Sequence, residues 1–130
     1  MVAIDTNIAI RLLVNDDPAQ TVKATALFTA EKIFIAKTVV LETEWVLRGV
    51  YNLDRGAINN ALRKLLSLEQ VIAEDETFLF DALDSHQQGM DFADAVHLAS
   101  SRRAATFVTF DTKFKSTAKK LSLKPAVIVP

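Results

Sequence analysis

The chain has no cysteine, only three glycines and three prolines, and no apolar run longer than a few residues. The lack of cysteine excludes disulfide frameworks, thiolate metal sites and cysteine nucleophiles, and it suits the cytoplasm, where we expect the protein. The scarcity of glycine and proline, with a hydrophobic content of 50%, excludes collagen-like, low-complexity and disordered chains. The N-terminal segment MVAIDTN reaches Asp5 without a basic or long apolar stretch. We therefore expect neither a signal peptide nor a membrane span.

At 130 residues the chain is long enough for one domain with a substantial core, and we expect a single domain over 1–130. The net charge of −1 hides an uneven distribution, because counting gives +1 over 1–68, −8 over 69–94 and +6 over 95–130. An acidic stretch beside a basic one could bind cations and polyanions at neighbouring sites, although solvated helix faces explain such blocks more often.

Apolar periodicity divides the chain into short strands that alternate with helices, without an internal repeat or a linker. The predicted strands are 2–4, 33–35, 71–72, 106–110 and 126–129. The predicted helices are 8–13, 18–32, 38–50, 54–68, 76–88, 91–104 and 111–121. This alternation predicts an α/β fold, a three-layer α/β/α sandwich with a mainly parallel central sheet.

Two acids stand where predicted strands end. Asp5 closes the first strand and Asp111 closes the strand over 106–110. Ligands of open α/β sheets bind outside the carboxyl ends of the strands, so the two carboxylates could share one edge. Aspartate is also a good helix N-cap, and for either residue alone capping is the favoured interpretation.

Glu42 and Glu44 lie two residues apart in the predicted helix over 38–50, and their neighbours differ. Three of the four residues one turn from Glu42 are apolar, and none is Lys or Arg. A carboxylate on such a face is costly unless it is paired or bound to a metal ion. Glu44 has Arg48 four residues on, so we expect a surface ion pair there.

The segment DFADAVHLAS places Asp91 and Asp94 three residues apart. If Asp91 caps the helix, Asp94 lies in its first turn, where the helix dipole favours an anion. A second capping role for Asp94 is an equally good interpretation of this segment. His97 follows one turn later, and a structural role or hydrogen bonding to a ligand are both open.

Four carboxylates without nearby Lys or Arg would repel one another unless cations were bound. With no cysteine and only two histidines, oxygen ligands favour Mg²⁺, or Mn²⁺, over zinc. Such a site suits phosphodiester hydrolysis, because the metal can activate water and neutralise phosphate charge.

Four segments carry a resemblance to a known family: IDTN at 4–7, VVLETEWVL at 39–47, DFADAVHLA at 91–99 and TFDTKF at 109–114. In order and spacing they resemble PIN-domain ribonucleases, and among them the VapC-type toxins of prokaryotic toxin–antitoxin pairs. The resemblance implies a Mg²⁺-dependent endoribonuclease, a homodimer inhibited by a small VapB-like antitoxin. It also implies the site residues: the acidic quartet Asp5, Glu42, Asp94 and Asp111, with Thr6, Asn7 and Thr109 beside it.

In this reading Asp5 and Asp94 are the main metal ligands, and single-stranded or loop RNA is the expected substrate. Basic residues near the acids could hold that RNA: Lys37 first, and more weakly Arg11, Arg48, Lys113 and Lys115. Each of these is more often a solvated surface charge. We expect Trp45 and the eight phenylalanines in the core rather than in base stacking.

Two other functions remain open. Asp5 could be the nucleophile of an aspartyl-phosphate phosphatase, although the haloacid-dehalogenase pattern has a second Asp where this chain has Asn7. The chain could instead be a binding module whose acids only cap helices, which would leave Glu42 unexplained.

Overall fold

The computed structural model describes all residues from Met1 to Pro130, and the chain divides into two compact units, Met1–Glu76 and Thr77–Pro130. The strands are β1 (Val2–Ala3), β2 (Ile33–Ile35), β3 (Val71–Ala73), β4 (Thr106–Val108) and β5 (Ala126–Ile128). The helices are α1 (Thr6–Leu13), α2 (Pro18–Ala30), α3 (Lys37–Gly49), α4 (Arg55–Leu66), α5 (Glu76–Gln87), α6 (Phe92–Ala99) and α7 (Thr112–Lys120). Because the chain divides into two compact units, the single domain expected over 1–130 stays a prediction.

The first unit is built on a parallel sheet of three strands in the order β1-β2-β3. Val2 pairs with Ile33, which in turn pairs with Val71. The central strand is buried at Ile33 and Ile35, as expected for β-branched residues with a neighbour on either side. Helix α1 packs against α2 and α3, and α3 packs against α4. These contacts fix the helices that follow β1 and β2.

The second unit contains the parallel pair β4-β5, in which Thr106 lies opposite Ala126 and Val108 opposite Ile128. Helix α7 packs against β5, and the ring of Phe114 on α7 lies 5.1 Å from that of Phe107 on β4. Helices α5 and α6 meet through an edge-to-face contact between His86 and Phe92, with ring centroids 5.4 Å apart.

Aspartate side chains begin five of the helices. In each case a carboxylate oxygen accepts a hydrogen bond from the backbone N–H three residues on, which satisfies one of the donors that a helix start leaves free. The capping residues are Asp5, Asp17, Asp54, Asp91 and Asp111. The capping interpretation of Asp5 and Asp111 is therefore confirmed.

The α/β class with parallel strands is confirmed, and every predicted strand and helix is present. The predicted helix over 91–104 is too long, because α6 ends at Ala99. There the Ser101 N–H donates to the Leu98 carbonyl oxygen at 3.0 Å, three residues back rather than four, so the helix ends in a tighter turn. None of the helices has the length and hydropathy needed to cross a bilayer.

The core was predicted correctly for seven of the eight phenylalanines, which are buried or half-buried. Two aromatic assignments were wrong, because Trp45 is 57% exposed and Phe110 is 84% exposed. Trp45 lies on the outward face of α3. Phe110 follows β4 with the alternation that makes Phe107 half-buried and Val108 exposed.

Candidate active site

Asp5 stands at the carboxyl end of β1 and begins α1. Its Oδ1 atom accepts a hydrogen bond from the Ile8 N–H at 3.2 Å, while no protein donor reaches Oδ2. Beside it, an open groove of about 800 Å³ is lined by residues of α1 and α2, among them Asn7, Arg11 and Lys23. The cap fixes the direction of the Asp5 carboxylate and leaves one oxygen available to a ligand.

Thr6 links the start of α1 to Glu42 on α3. Its side chain is buried, with 7% of the residue exposed, and its hydroxyl donates a hydrogen bond to Oε1 of Glu42. The packing of α1 on α3 brings the two residues together across 36 positions of sequence. Glu42 is exposed and has no cationic partner, so its Oε2 atom is free to bind a ligand.

The burial predicted for the two glutamates of α3 was wrong in both cases. Glu42 is exposed, whereas Glu44 is only 4% exposed and lies on the inward face with Val40 and Leu47. The ion pair of Glu44 with Arg48 is confirmed, with Nε and Nη2 donating at 2.9 and 3.3 Å. The pair is buried at the carboxylate and 52% exposed at the arginine side chain. The long arginine side chain allows this, because its stem packs while its charged end reaches solvent.

Asp94 is the least satisfied acid of the second unit. Asp91 caps α6 by accepting the Asp94 N–H at 3.1 Å, so Asp94 itself caps nothing, and its half-buried carboxylate accepts no hydrogen bond. Burial raises the pKa of Asp94 above its ordinary value, and the nearby charges of Asp91 and Asp111 raise it further, while His97 opposes the shift. The unit therefore holds a carboxylate whose ionised form it disfavours.

Asp111 is held from both sides. Its Oδ1 accepts the Phe114 N–H at 3.0 Å, and its own N–H donates to the Thr109 hydroxyl at 3.0 Å. Thr109 in turn donates its N–H to the carbonyl oxygen of Ile128 on β5 at 3.0 Å. Thr109 therefore connects the position of Asp111 to the sheet, as a residue beside a metal ligand would.

Each of the four predicted acids, two in either unit, has the oxygen donors that a hard divalent cation prefers. Each keeps at least one carboxylate oxygen without a protein hydrogen-bond partner, and oxygen is the ligand that Mg²⁺ and Mn²⁺ prefer. A cation would also relieve the repulsion that raises the pKa of Asp94. In neither unit do three His, Cys, Asp or Glu side chains form a ready-made metal-ligating group.

The basic residues predicted to hold RNA fall into two groups. Three are in ion pairs: Lys37 with Asp75 at 2.8 Å, Arg11 with Asp16, and Arg48 with Glu44. The other two, Lys113 and Lys115, are exposed on α7 and have no ion pair. The lysines of α7 are therefore the more available cations.

Sequence reasoning missed the exposure of Phe110, which directly precedes Asp111. The signal was present, because the period of two along β4 puts residues 108 and 110 on the side opposite Phe107. The fixed position of Glu42 was also missed. Its hydrogen bond to Thr6 joins residues far apart in sequence and has no local signature.

Parallel strands, capped helices and exposed carboxylates at strand ends define an α/β protein. Comparison with protein families matches residues 2–120 to the PIN domain, and the chain therefore belongs to the PIN domain family. The seven helices and parallel strands are consistent with the predicted three-layer α/β/α class. PIN domains are generally metal-dependent nucleases. No curated protein matches the chain.

Proposed function

We propose that this protein is a Mg²⁺-dependent endoribonuclease that hydrolyses phosphodiester bonds in single-stranded or loop RNA. The observation that carries the proposal is Asp94, a half-buried carboxylate with no hydrogen bond and two like-charged neighbours. The buried acid Glu44 has a partner in Arg48, whereas the half-buried Asp94 has none. A carboxylate with little solvent, no partner and like charges beside it is a candidate for binding a ligand of opposite charge.

Asp5, Asp94, Glu42 and Asp111 are the residues that would hold the cation, with Mn²⁺ as a possible substitute for Mg²⁺. When bound, a divalent cation neutralises phosphate charge and lowers the pKa of water, so that water can serve as the nucleophile. The protein contributes the orientation of the carboxylates. Thr6 holds Glu42 through its hydroxyl, whereas the capping bonds hold Asp5 and Asp111.

The test is cleavage of single-stranded RNA by the purified chain, with Mg²⁺ or with chelator, for wild type and Asp94→Asn. We expect cleavage only by wild type in Mg²⁺, because asparagine keeps the shape of the side chain but not its charge. Asp54→Asn is the matched control. Asp54 is an exposed aspartate at the start of α4, where asparagine caps equally well, and the control should retain full activity. Equal cleavage by Asp94→Asn would remove Asp94 from the mechanism.

We further propose that the nuclease is the toxin of a toxin–antitoxin pair, a homodimer inhibited by a small VapB-like protein. The support is the resemblance of its four motif segments to VapC-type toxins. Expression of the chain alone should slow bacterial growth, and co-expression of a short protein encoded immediately upstream should restore it. Asp94→Asn should not slow growth, and an equally toxic Asp94→Asn protein would show that cleavage is not the cause. Light scattering of the purified chain measures whether it is a dimer.

A further inference from the structure

Phe110 is the most exposed large hydrophobic residue of the chain, at 84%. It lies just beyond the carboxyl end of β4 and immediately before Asp111. Burial of a phenylalanine side chain stabilises a fold. Phe110 does not gain this stabilisation, because the inward positions are occupied by Phe107 and Phe114, whose rings are 5.1 Å apart.

The backbone on both sides of Phe110 is fixed. Thr109 donates its N–H to Ile128 and accepts the N–H of Asp111, both at 3.0 Å. The Asp111 carboxylate is in turn bonded to the N–H of Phe114 at 3.0 Å. Because the backbone beside Phe110 is already fixed, only the two side-chain torsions of the phenylalanine have to be ordered when a ligand stacks on the ring.

The charge beyond Phe110 favours a polyanion as that ligand. Helix α7 carries four exposed lysines with no ion pair, and its apolar side holds Phe114 and Ala118. The four are Lys113, Lys115, Lys119 and Lys120. An exposed aromatic ring followed by a helix that carries exposed cations is a pairing found in proteins that bind single-stranded nucleic acid, where bases stack and phosphates contact the cations. The centre of a protein–protein interface is depleted of charged residues, whereas this surface carries the four lysines of α7.

We propose that Phe110 stacks against a base of single-stranded RNA next to the bond that is cleaved, and that the α7 lysines hold the phosphates of the adjoining nucleotides. The proposal rests on the proposed nuclease function and adds to it a residue that selects unpaired bases. A base within a duplex is already stacked on both faces and has no face to offer to Phe110.

The test measures binding of short fluorescent single-stranded RNAs to Asp94→Asn protein in chelator at fixed salt, so that nothing is cleaved. In a set of oligonucleotides, one abasic site is moved along the strand. Phe110→Ala should weaken binding of the intact RNA about 5- to 150-fold, the equivalent of 1–3 kcal/mol per stacked base. One abasic position should cost the parent the same factor and cost the Phe110→Ala protein almost nothing more. Phe110→Tyr should bind as the parent does.

Val108→Ala is the matched control, because Val108 is 54% exposed at the end of β4, two residues before Phe110, but is not aromatic and is not next to Asp111. It should bind RNA within a factor of two of the parent. An abasic profile that is identical with and without Phe110 would refute stacking. A loss in Val108→Ala as large as in Phe110→Ala would also refute it, and would indicate an apolar surface for a protein partner. If wild type cleaves RNA in Mg²⁺ but the binding experiment gives either of these two results, only the stacking proposal fails. Absence of any cleavage would instead overturn the nuclease function.

Discussion

Asp94→Asn should make the metal-free protein more stable while it abolishes cleavage. Burial and the charges of Asp91 and Asp111 raise the pKa of Asp94, so the folded state disfavours its ionised form. Asparagine removes the charge and keeps the volume. Because the Asp94 carboxylate accepts no hydrogen bond in the structure, the substitution breaks none.

The magnitude follows from the number and exposure of the charges. Partly exposed charge pairs are worth about 0.2–1 kcal/mol each, and two like charges act on Asp94 against one opposing histidine. We therefore expect a gain of about 0.5–1 kcal/mol, which raises the Tm of a chain of this size by about 2–4 °C. Mg²⁺ should reverse the order, because a ligand at 100 times its Kd stabilises wild type by about 2.7 kcal/mol.

The pH dependence has a definite sign. With the folded pKa of Asp94 above the ordinary value of 3.8, the native state binds more protons than the unfolded state between the two pKa values. Wild-type stability therefore falls as pH rises through that window. The advantage of Asp94→Asn is full above the folded pKa and disappears as the pH falls below 3.8.

Thermal melts in chelator and in excess Mg²⁺, at about pH 7 and about pH 3, measure all of these effects. Asp54→Asn is again the control for loss of one negative charge, and its Tm should not change. The reasoning fails if metal-free Asp94→Asn melts below metal-free wild type and both proteins respond equally to Mg²⁺. That result would make Asp94 a structural residue.

Four further substitutions test the first unit. Asp5→Asn should abolish RNA cleavage with no change in circular dichroism, and retained cleavage would exclude Asp5 as a ligand. Thr6→Val should lower kcat about tenfold at an unchanged KM, because Glu42 loses the hydroxyl that orients it; an unchanged kcat would show that the bond is incidental. Glu44→Gln should lower the free energy of unfolding by about 1 kcal/mol and leave cleavage intact, since its carboxylate is buried against Arg48. Glu42→Gln should abolish cleavage and leave the free energy of unfolding unchanged. Loss of cleavage in Glu44→Gln alone would show that Glu44, and not Glu42, belongs to the site.

The helices and strands were predictable because local chemistry marks their ends. Asp17 followed by Pro18 begins α2, and Asp91 begins α6, each with a side-chain cap that the sequence displays. The end of α6 was not predictable in the same way. Helical periodicity continues through residue 104, whereas the helix ends at Ala99, where no glycine or proline marks the end.

Burial on α3 was predicted less well, because apolar periodicity alone does not choose between two overlapping faces. The helix has apolar residues on both sides, and the inward face that packs against α1 and α4 includes Thr43 and Glu44, while Trp45 faces outward. Tertiary packing makes that choice. The tryptophan, which has the largest apolar surface on the helix, was therefore assigned to the wrong side.

The two glutamates show which property identifies an acid available to a cation. Glu42 was selected because its neighbours are apolar, and it proved to be exposed; Glu44 was set aside as a surface residue, and it proved to be buried. Burial is thus a poor criterion, because an arginine one turn away can accompany a carboxylate into the interior. The presence of a cationic partner within the chain is the better one. Glu44 has that partner and Glu42 lacks it, so Glu42 remains the glutamate proposed to bind metal, on the ground of pairing rather than of burial.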